Sequence, residues 1–395
     1  VNLDKYRNLT RDTEFKYINV HPIQRGGVLT PEARKAILEF ADGYSVCDFC
    51  FEGRVDLVEN PPIKEFTGDI AEFLNMDEVR FTAGCRHAKW TVMATMLDKG
   101  DAIVVDSLAH YTSYLAAEAN GLEVFEVPHS GYPEFRINPE NYAKVFEEVK
   151  EETGSYPKMA LLTHVDYRYG NLTDPVEVGK ICEDYEVMFM LNTAYSSGLM
   201  EINGKKMRAD FIVGSGHKSW AATAPIGFVA TNYEYTDSLF STSKIRGRWS
   251  GRGFTKKEVA FFGCSPVFGA PLVTLMASFP KVVERVKSWE KEVENARYFV
   301  NEMEKIEGLH QMGIKPTEHT LQNFEALPFH QVAKQHKRRG YFLYTELKRR
   351  GVIGVHPGLT KNFKINTFGL TRKQIDHVIW AFKDIAEKYN LEVED

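Results

Sequence analysis

The sequence predicts an α/β protein: a large domain built on a mostly parallel sheet, joined to a smaller α+β domain. Three observations predict it. From about residue 71 to 265, short apolar runs alternate with helical stretches, the pattern of a parallel sheet with helices on both faces. After Pro266 the chain turns to longer amphipathic stretches, from Val273-Thr274-Leu275-Met276 through the charged helix around Arg285 to Met303. Near the end, Phe363–Phe368 reads as a strand and Thr371-Arg372-Lys373-Gln374 as the capped start of a helix. The expected division is an arm over 1–70, a large domain over 71–265 and a small domain over 266–395. No internal repeat or low-complexity segment interrupts it.

The arm carries Gly26-Gly27, then a helix starting near Thr30-Pro31-Glu32, where Thr caps and Pro occupies the first turn. Val79–Thr82 is a strand, and Ala83 to Leu97 a helix. Small residues at that helix start, Gly84 and Cys85, let backbone N–H groups approach a phosphate, and Arg86 adds a charged donor. Ala102–Asp106 is a further strand, with His110-Tyr111 a few residues on, where a flat imidazole can stack on an aromatic ring. Val187–Leu191 is a buried strand ending at Asn192-Thr193-Ala194-Tyr195. Phe211-Ile212-Val213 closes in small residues and a His-Lys pair, Gly214-Ser215-Gly216-His217-Lys218.

A lysine at such a strand end is desolvated and so activated as a nucleophile. This is how enzymes that use pyridoxal phosphate (PLP) present the lysine that carries it, with Ser215 and His217 placed to hold the cofactor phosphate. In PLP enzymes of aminotransferase-like fold (fold type I), built on a seven-stranded, mostly parallel sheet, the strand end at 192 carries the group that bonds the pyridine nitrogen, usually Asp. Here it is Asn192, which can hydrogen-bond the ring but cannot hold it protonated by charge. The alternative for each piece taken alone is ordinary structure: a solvated lysine, a turn asparagine, a helix-start histidine.

Composition suits this picture, at 395 residues, 43% hydrophobic and 26% charged. No apolar run approaches the roughly 20 residues of a membrane span, so the expected location is the cytoplasm. The net charge of −5 argues against indiscriminate nucleic-acid binding while leaving room for a local patch. Cysteines in such a chain are expected to be reduced. Cys182 reads as core, and Cys85 as a small residue in the phosphate loop. Cys47-Asp48-Phe49-Cys50 has redox or metal spacing, and Cys264 follows a glycine in a loop. Two cysteines make only half a zinc site, so no metal site is certain. Three thiols suit sulfur transfer, or an iron–sulfur cluster with one open iron.

Together, the lysine in Gly214–Ser219, the asparagine at 192, Cys47-x-x-Cys50 and Cys264 after Phe262-Gly263 resemble the archaeal O-phosphoseryl-tRNA:cysteinyl-tRNA synthase family. The resemblance runs along essentially the whole chain, through Tyr169-Gly170-Asn171-Leu172, Met276–Pro280 and Pro357-Gly358-Leu359-Thr360. It implies a homodimer with PLP on Lys218, held by Asn192, His110, Gly84, Cys85, Arg86, Ser215, His217 and Asn171. It implies that Cys47, Cys50 and Cys264 handle sulfur, with an iron–sulfur cluster as a candidate intermediate in its delivery. The expected reaction converts O-phosphoseryl-tRNA(Cys) to cysteinyl-tRNA(Cys) by β-elimination of phosphate and addition of persulfide sulfur. Arg86, His110 and Tyr111 are the candidates for the substrate phosphate. The implied partners are the phosphoseryl-tRNA ligase and a bridging assembly protein.

Where enzymes acting on free amino acids clamp a carboxylate with Arg, this chain offers Phe363-Lys364-Ile365-Asn366, as expected if that carboxylate is an ester. The stretch 244–257, with Arg246, Arg248, Trp249 and Arg252, suits a tRNA end by phosphate pairing and stacking, or is a solvated loop. Lys334–Arg339 reads as a solvated helix end. The competing readings are a cysteine desulfurase or related PLP lyase, and a non-catalytic scaffold that only binds tRNA or a partner.

Overall fold

The computed structural model describes residues 11–13, 15–23, 25–40, 61, 63–240, 246–251, 269–358 and 361–394. Cys47, Cys50 and Cys264, and part of the basic stretch 244–257, lie outside them. The chain forms two compact units: one comprises Gly26–Tyr167 and Asn171–Glu290, the other the residues up to Arg25, Arg168–Gly170 and those from Lys291 on.

The larger unit is built on the expected seven-stranded sheet, in spatial order Glu78–Thr82, Gly227–Thr231, Phe211–Ser215, Met188–Asn192, Met159–Thr163, Ala102–Asp106, Glu123–Val127. Only Gly227–Thr231 runs against the others. The central strands are apolar along their length because helices cover both faces: Ile103, Val104, Val105, Leu161, Leu162, Leu191, Ile212 and Val213 are all fully buried. Register places Thr163 beside Asn192 and Asn192 beside Val213, so polar residues end these strands at one edge. That carboxyl edge is where ligands bind in open α/β sheets.

Helix starts follow their local chemistry. Thr30 accepts from Ala33 N at 3.1 Å to open Pro31–Glu39. His110 caps Tyr111–Asn120, and Gly84 precedes Cys85–Met96 without contributing a side chain.

Two boundaries differ from the expected ones. The helix Gly269–Val286 belongs to the sheet unit, because Ser278 Oγ donates to Ala221 O at 2.7 Å, Thr274 Oγ1 accepts from Thr223 N at 3.0 Å, and Arg285 Nε donates to Gly198 O at 2.7 Å. The arm is split at Arg25: Ile18–Asn19 pairs in parallel with Val352–Ile353, whereas Gly26 onward folds with the sheet.

The smaller unit has an antiparallel sheet of Asn362–Asn366, Leu321–Ala326 and Leu309–Met312. Its core stacks Phe324 on Phe363 at 5.6 Å and Phe363 on Phe382 at 5.2 Å. The last helix, Arg372–Lys388, opens with a full capping box in which Thr371 and Gln374 each bond the other's backbone N–H. Among the described residues no helix is long and apolar enough to cross a membrane.

Candidate active site

The carboxyl edge of the larger unit's sheet gathers most of the expected residues. Gly84 has φ +91°, a conformation that side chains disfavour, and a Cβ there would sit 3.1 Å from His217 Cε1. The glycine thus brings the helix start against the lysine segment. The backbone N–H groups of Cys85 and Arg86 meet no acceptor among the described residues, as the first amides of a helix do when no side chain caps them. Arg86 itself is exposed and pairs with no described residue.

Asn192 is oriented by its neighbours. Its Oδ1 accepts from Ala194 N and from the Cys85 thiol, each at 3.2 Å. A backbone N–H can only donate, so the carboxamide oxygen faces Ala194 and the NH2 is the group left to present elsewhere. Burial pushes the Cys85 thiol up, against the opposing pull of Lys89 and Lys218.

Lys218 sits in the single turn Gly216–Ser219, with Nζ 4.6 Å from the Tyr195 ring centre. Ser215 Oγ lies 3.4 Å from His217 Nε2, and His217 Nδ1 lies 3.0 Å from Ile226 O. Burial lowers the His217 pKa, so at neutral pH this ring is uncharged.

His110 packs its ring on Tyr111 at 4.2 Å and against the edge of Tyr167 at 4.8 Å. It joins the group through Thr112, which also receives Lys89 Nζ. Tyr111 is half exposed. Asn171 is placed differently: its Nδ2 donates to Glu134 O and Phe135 O, at 2.9 and 3.1 Å, and its backbone N–H donates to Asp166. Its amide hydrogens hold that turn. Among the described residues no cluster of three or more His, Cys, Asp or Glu is placed to hold a metal ion.

Four features were missed in the sequence. Gly26 and Gly27 lie against the lysine turn, where a Cβ on Gly27 would stand 2.2 Å from His217 O. Arg285 donates to the carbonyls of Gly198, Gly26 and Ser219, tying three segments around that turn. Lys89 is buried, with Nζ 2.9 Å from Thr112 Oγ1 and 2.7 Å from Ser113 Oγ. Burial brings its pKa down to about 8, with Cys85 and Asp106 opposing and Lys218 and Arg86 reinforcing. Asp106 is buried too and pushed up to about 7 by desolvation, although Thr163 N donates to its Oδ2 at 2.7 Å. Only the Gly26-Gly27 doublet gave a signal, since paired glycines often mark a close backbone approach.

Comparison with known proteins bears on what this edge is for. The sequence profile of O-phosphoseryl-tRNA(Sec) selenium transferase, SepSecS, matches residues 90–387. The O-phospho-L-seryl-tRNA:Cys-tRNA synthase 2 of Archaeoglobus fulgidus is 64% identical over 378 residues, 96% of each chain. The chain belongs to the O-phospho-L-seryl-tRNA:Cys-tRNA synthase family. A solved SepCysS–SepCysE N-terminal domain complex includes a chain 48% identical to this family member, covering 98% of this chain and 100% of that one at a TM-score of 0.88. A cysteine desulfurase from Thermococcus onnurineus NA1 shares the fold at 18% identity and a TM-score of 0.73, over 95% and 96% of the two chains. The architecture is that of fold type I, as the sequence predicts, and family membership rather than fold separates synthase from desulfurase.

Proposed function

We propose that the protein converts O-phosphoseryl-tRNA(Cys) to cysteinyl-tRNA(Cys), using PLP carried on Lys218. The single observation that carries this reading is the 64% identity, sustained over 96% of each chain, to a synthase of that name.

The residues fit the cofactor. Two backbone donors without an acceptor, at Cys85 and Arg86, suit a phosphate at a helix N-terminus, and Ser215 and His217 stand beside them. The Asn192 carboxamide has its oxygen engaged, so its NH2 suits a pyridine nitrogen that accepts. When bound, PLP supplies an electron sink that lets the substrate α-proton leave and phosphate depart from Cβ. Lys218 Nζ takes that proton, at a position bordered by the aromatic face of Tyr195. Arg86, His110 and Tyr111 meet the departing phosphate: a fixed charge at the start of Cys85–Met96, and an imidazole and a phenol at the start of Tyr111–Asn120. Phosphate is a good leaving group, so the weaker electron sink at Asn192 suffices.

Sulfur then enters from a persulfide on Cys47 or Cys50. Its terminal sulfur bonds to Cβ, and a second thiol, from the set Cys47, Cys50 and Cys264, breaks the S–S bond and forms a protein disulfide. The active form is read as a homodimer in the cytoplasm, and the SepCysS–SepCysE complex motivates a bridging assembly protein as partner, alongside the phosphoseryl-tRNA ligase.

The test incubates the protein and PLP with phosphoseryl-tRNA or free phosphoserine in the presence of sulfide, which adds to Cβ directly with no change of oxidation state, and in parallel with free cysteine in the absence of sulfide. Cysteine formed only on tRNA is the expected result. Sulfide released from free cysteine, with phosphoseryl-tRNA untouched, would replace the synthase by a desulfurase.

A further inference from the structure

The buried lysine at position 89 has no role in the chemistry above, yet its contacts lead to the histidine that meets the phosphate. Three hydrogen bonds define the path. Lys89 Nζ lies 2.9 Å from Thr112 Oγ1, Thr112 Oγ1 lies 2.9 Å from His110 Nδ1, and Thr112 N donates to the same Nδ1 at 3.3 Å.

Their directions follow from which groups can only donate. A backbone N–H has no lone pair to offer, so His110 Nδ1 must accept from Thr112 N and carries no hydrogen. An ammonium also only donates, so Thr112 Oγ1 accepts from Lys89 through one lone pair; because His110 Nδ1 carries no hydrogen, the hydrogen between it and Thr112 Oγ1 is that of the hydroxyl. With Nδ1 accepting twice, the single hydrogen of the neutral ring resides on Nε2.

We propose that Lys89 is a positioning residue that orients the Thr112 hydroxyl and so reinforces the neutral Nε2–H tautomer of His110 that Thr112 N favours, making the ring a hydrogen-bond donor to the substrate phosphate. The inference rests on the synthase reading for the identity of that phosphate, though not for the tautomer.

The surroundings agree. Lys89 is nearly sealed from solvent and spends further hydrogen-bonding capacity on Ser113 Oγ at 2.7 Å, so it is held in place. Burial, Lys218 and Arg86 weigh against the ammonium while Cys85 and Asp106 favour it, and the rings of Tyr111 and Tyr167 flank the imidazole. A neutral donor has a use here: Arg86 already supplies positive charge, and an uncharged N–H binds phosphate without gripping the released anion as a second cation would.

The test labels histidine with 15N in the full-length protein, without substrate, and assigns the His110 signals by their loss in His110→Gln. Wild type is expected to show a hydrogen on Nε2 and none on Nδ1. Lys89→Met and Thr112→Val should both reduce the share of that tautomer, and Thr112→Ser should restore it. Turnover of phosphoseryl-tRNA should then fall roughly tenfold or more in kcat/KM for Thr112→Val and return with Thr112→Ser, the scale of one hydrogen bond to a charged group. A wild-type ring carrying its hydrogen on Nδ1, or a tautomer unchanged in both Lys89→Met and Thr112→Val, would overturn the proposal. The spectra need no substrate, so they can fail while the synthase reading stands, and loss of the synthase reading would leave them unaffected.

Discussion

Replacing Gly27 by Ala tests whether the lysine turn is held by close backbone contact. Neither Gly26 nor Gly27 has positive φ, so an L side chain meets no conformational obstacle there, and the requirement for glycine is purely one of space. The added Cβ would lie 2.2 Å from His217 O and 3.0 Å from His217 C, both backbone atoms that cannot swing aside. Ordinary van der Waals contact begins at 3.4 Å, so the two segments must part by about 1 Å. They are not free to do so, because Ala221 N donates to Gly26 O at 3.0 Å and Arg285 Nη2 donates to it at 3.1 Å. Overpacking of this kind destabilises by about 1–3 kcal/mol. A catalytic lysine displaced by about 1 Å can lose roughly 100-fold in rate. The assay pairs the denaturant midpoint with kcat on phosphoseryl-tRNA. The control is Gly68→Ala, inside the helix Ile63–Leu74, where a Cβ meets nothing within 4 Å. That change should stabilise by roughly 0.5–1 kcal/mol and leave kcat alone. A Gly27→Ala protein with wild-type midpoint and kcat would refute the steric argument.

Lys218→Ala should abolish the visible absorbance of the PLP-loaded protein while leaving the far-ultraviolet circular dichroism unchanged; retained yellow colour would refute the lysine assignment. Cys264→Ala should still release phosphate from phosphoseryl-tRNA but form no cysteinyl-tRNA, and loss of both activities would mark Cys264 as structural. Glu346, buried in the smaller unit, has its carboxyl held down at about 2: burial pushes it up, but Lys388 and Arg350 outweigh that. A carboxyl lowered on folding stabilises above its unfolded pKa, so this contribution should be full above about pH 4.5 and fade as pH falls toward 2. Glu346→Gln should flatten the acid limb of a stability–pH curve measured over that window, and an unchanged limb would refute the pairing.

Much of the fold was legible because it is local. The Thr30 cap, the capping box at Thr371 and the apolar strands ending in Asn192 and Ser215 are each set by a few adjacent residues, and each forms as the sequence predicts. The candidate site could be traced where it follows such strand ends, and the structure places Gly84, Cys85, Asn192, Ser215, His217 and Lys218 together at one edge. What could not be read depends on partners far along the chain. Arg285 looked like one charge in an amphipathic helix, yet it donates to Gly198 and Gly26, partners brought near only by the fold. The same contacts moved the helix Gly269–Val286 out of the expected small domain. Lys89 was unreadable for another reason. A lysine one turn into a helix ordinarily reaches solvent, and only the packing of Tyr111–Asn120 against Cys85–Met96 seals it beside Thr112 and Ser113.

These two hidden cations divide the labour around Lys218. Arg285 donates to three backbone carbonyls, so its contribution is to fix backbone, and its guanidinium suits that task because it stays charged at any working pH. Lys89 donates to hydroxyls, which can pass a hydrogen-bond direction onward, and so it orients rather than clamps. The consequence for mutagenesis is asymmetric. Removing Arg285 takes the donor from the Gly198 and Ser219 carbonyls, leaves Gly26 O only Ala221 N among the described residues, and loosens the whole lysine turn, so stability and turnover should fall together. Removing Lys89 takes one donor from each of two hydroxyls and leaves the backbone hydrogen bonds intact, so stability should change less than turnover. An Arg285→Met protein that unfolds no more readily than Lys89→Met would contradict that division.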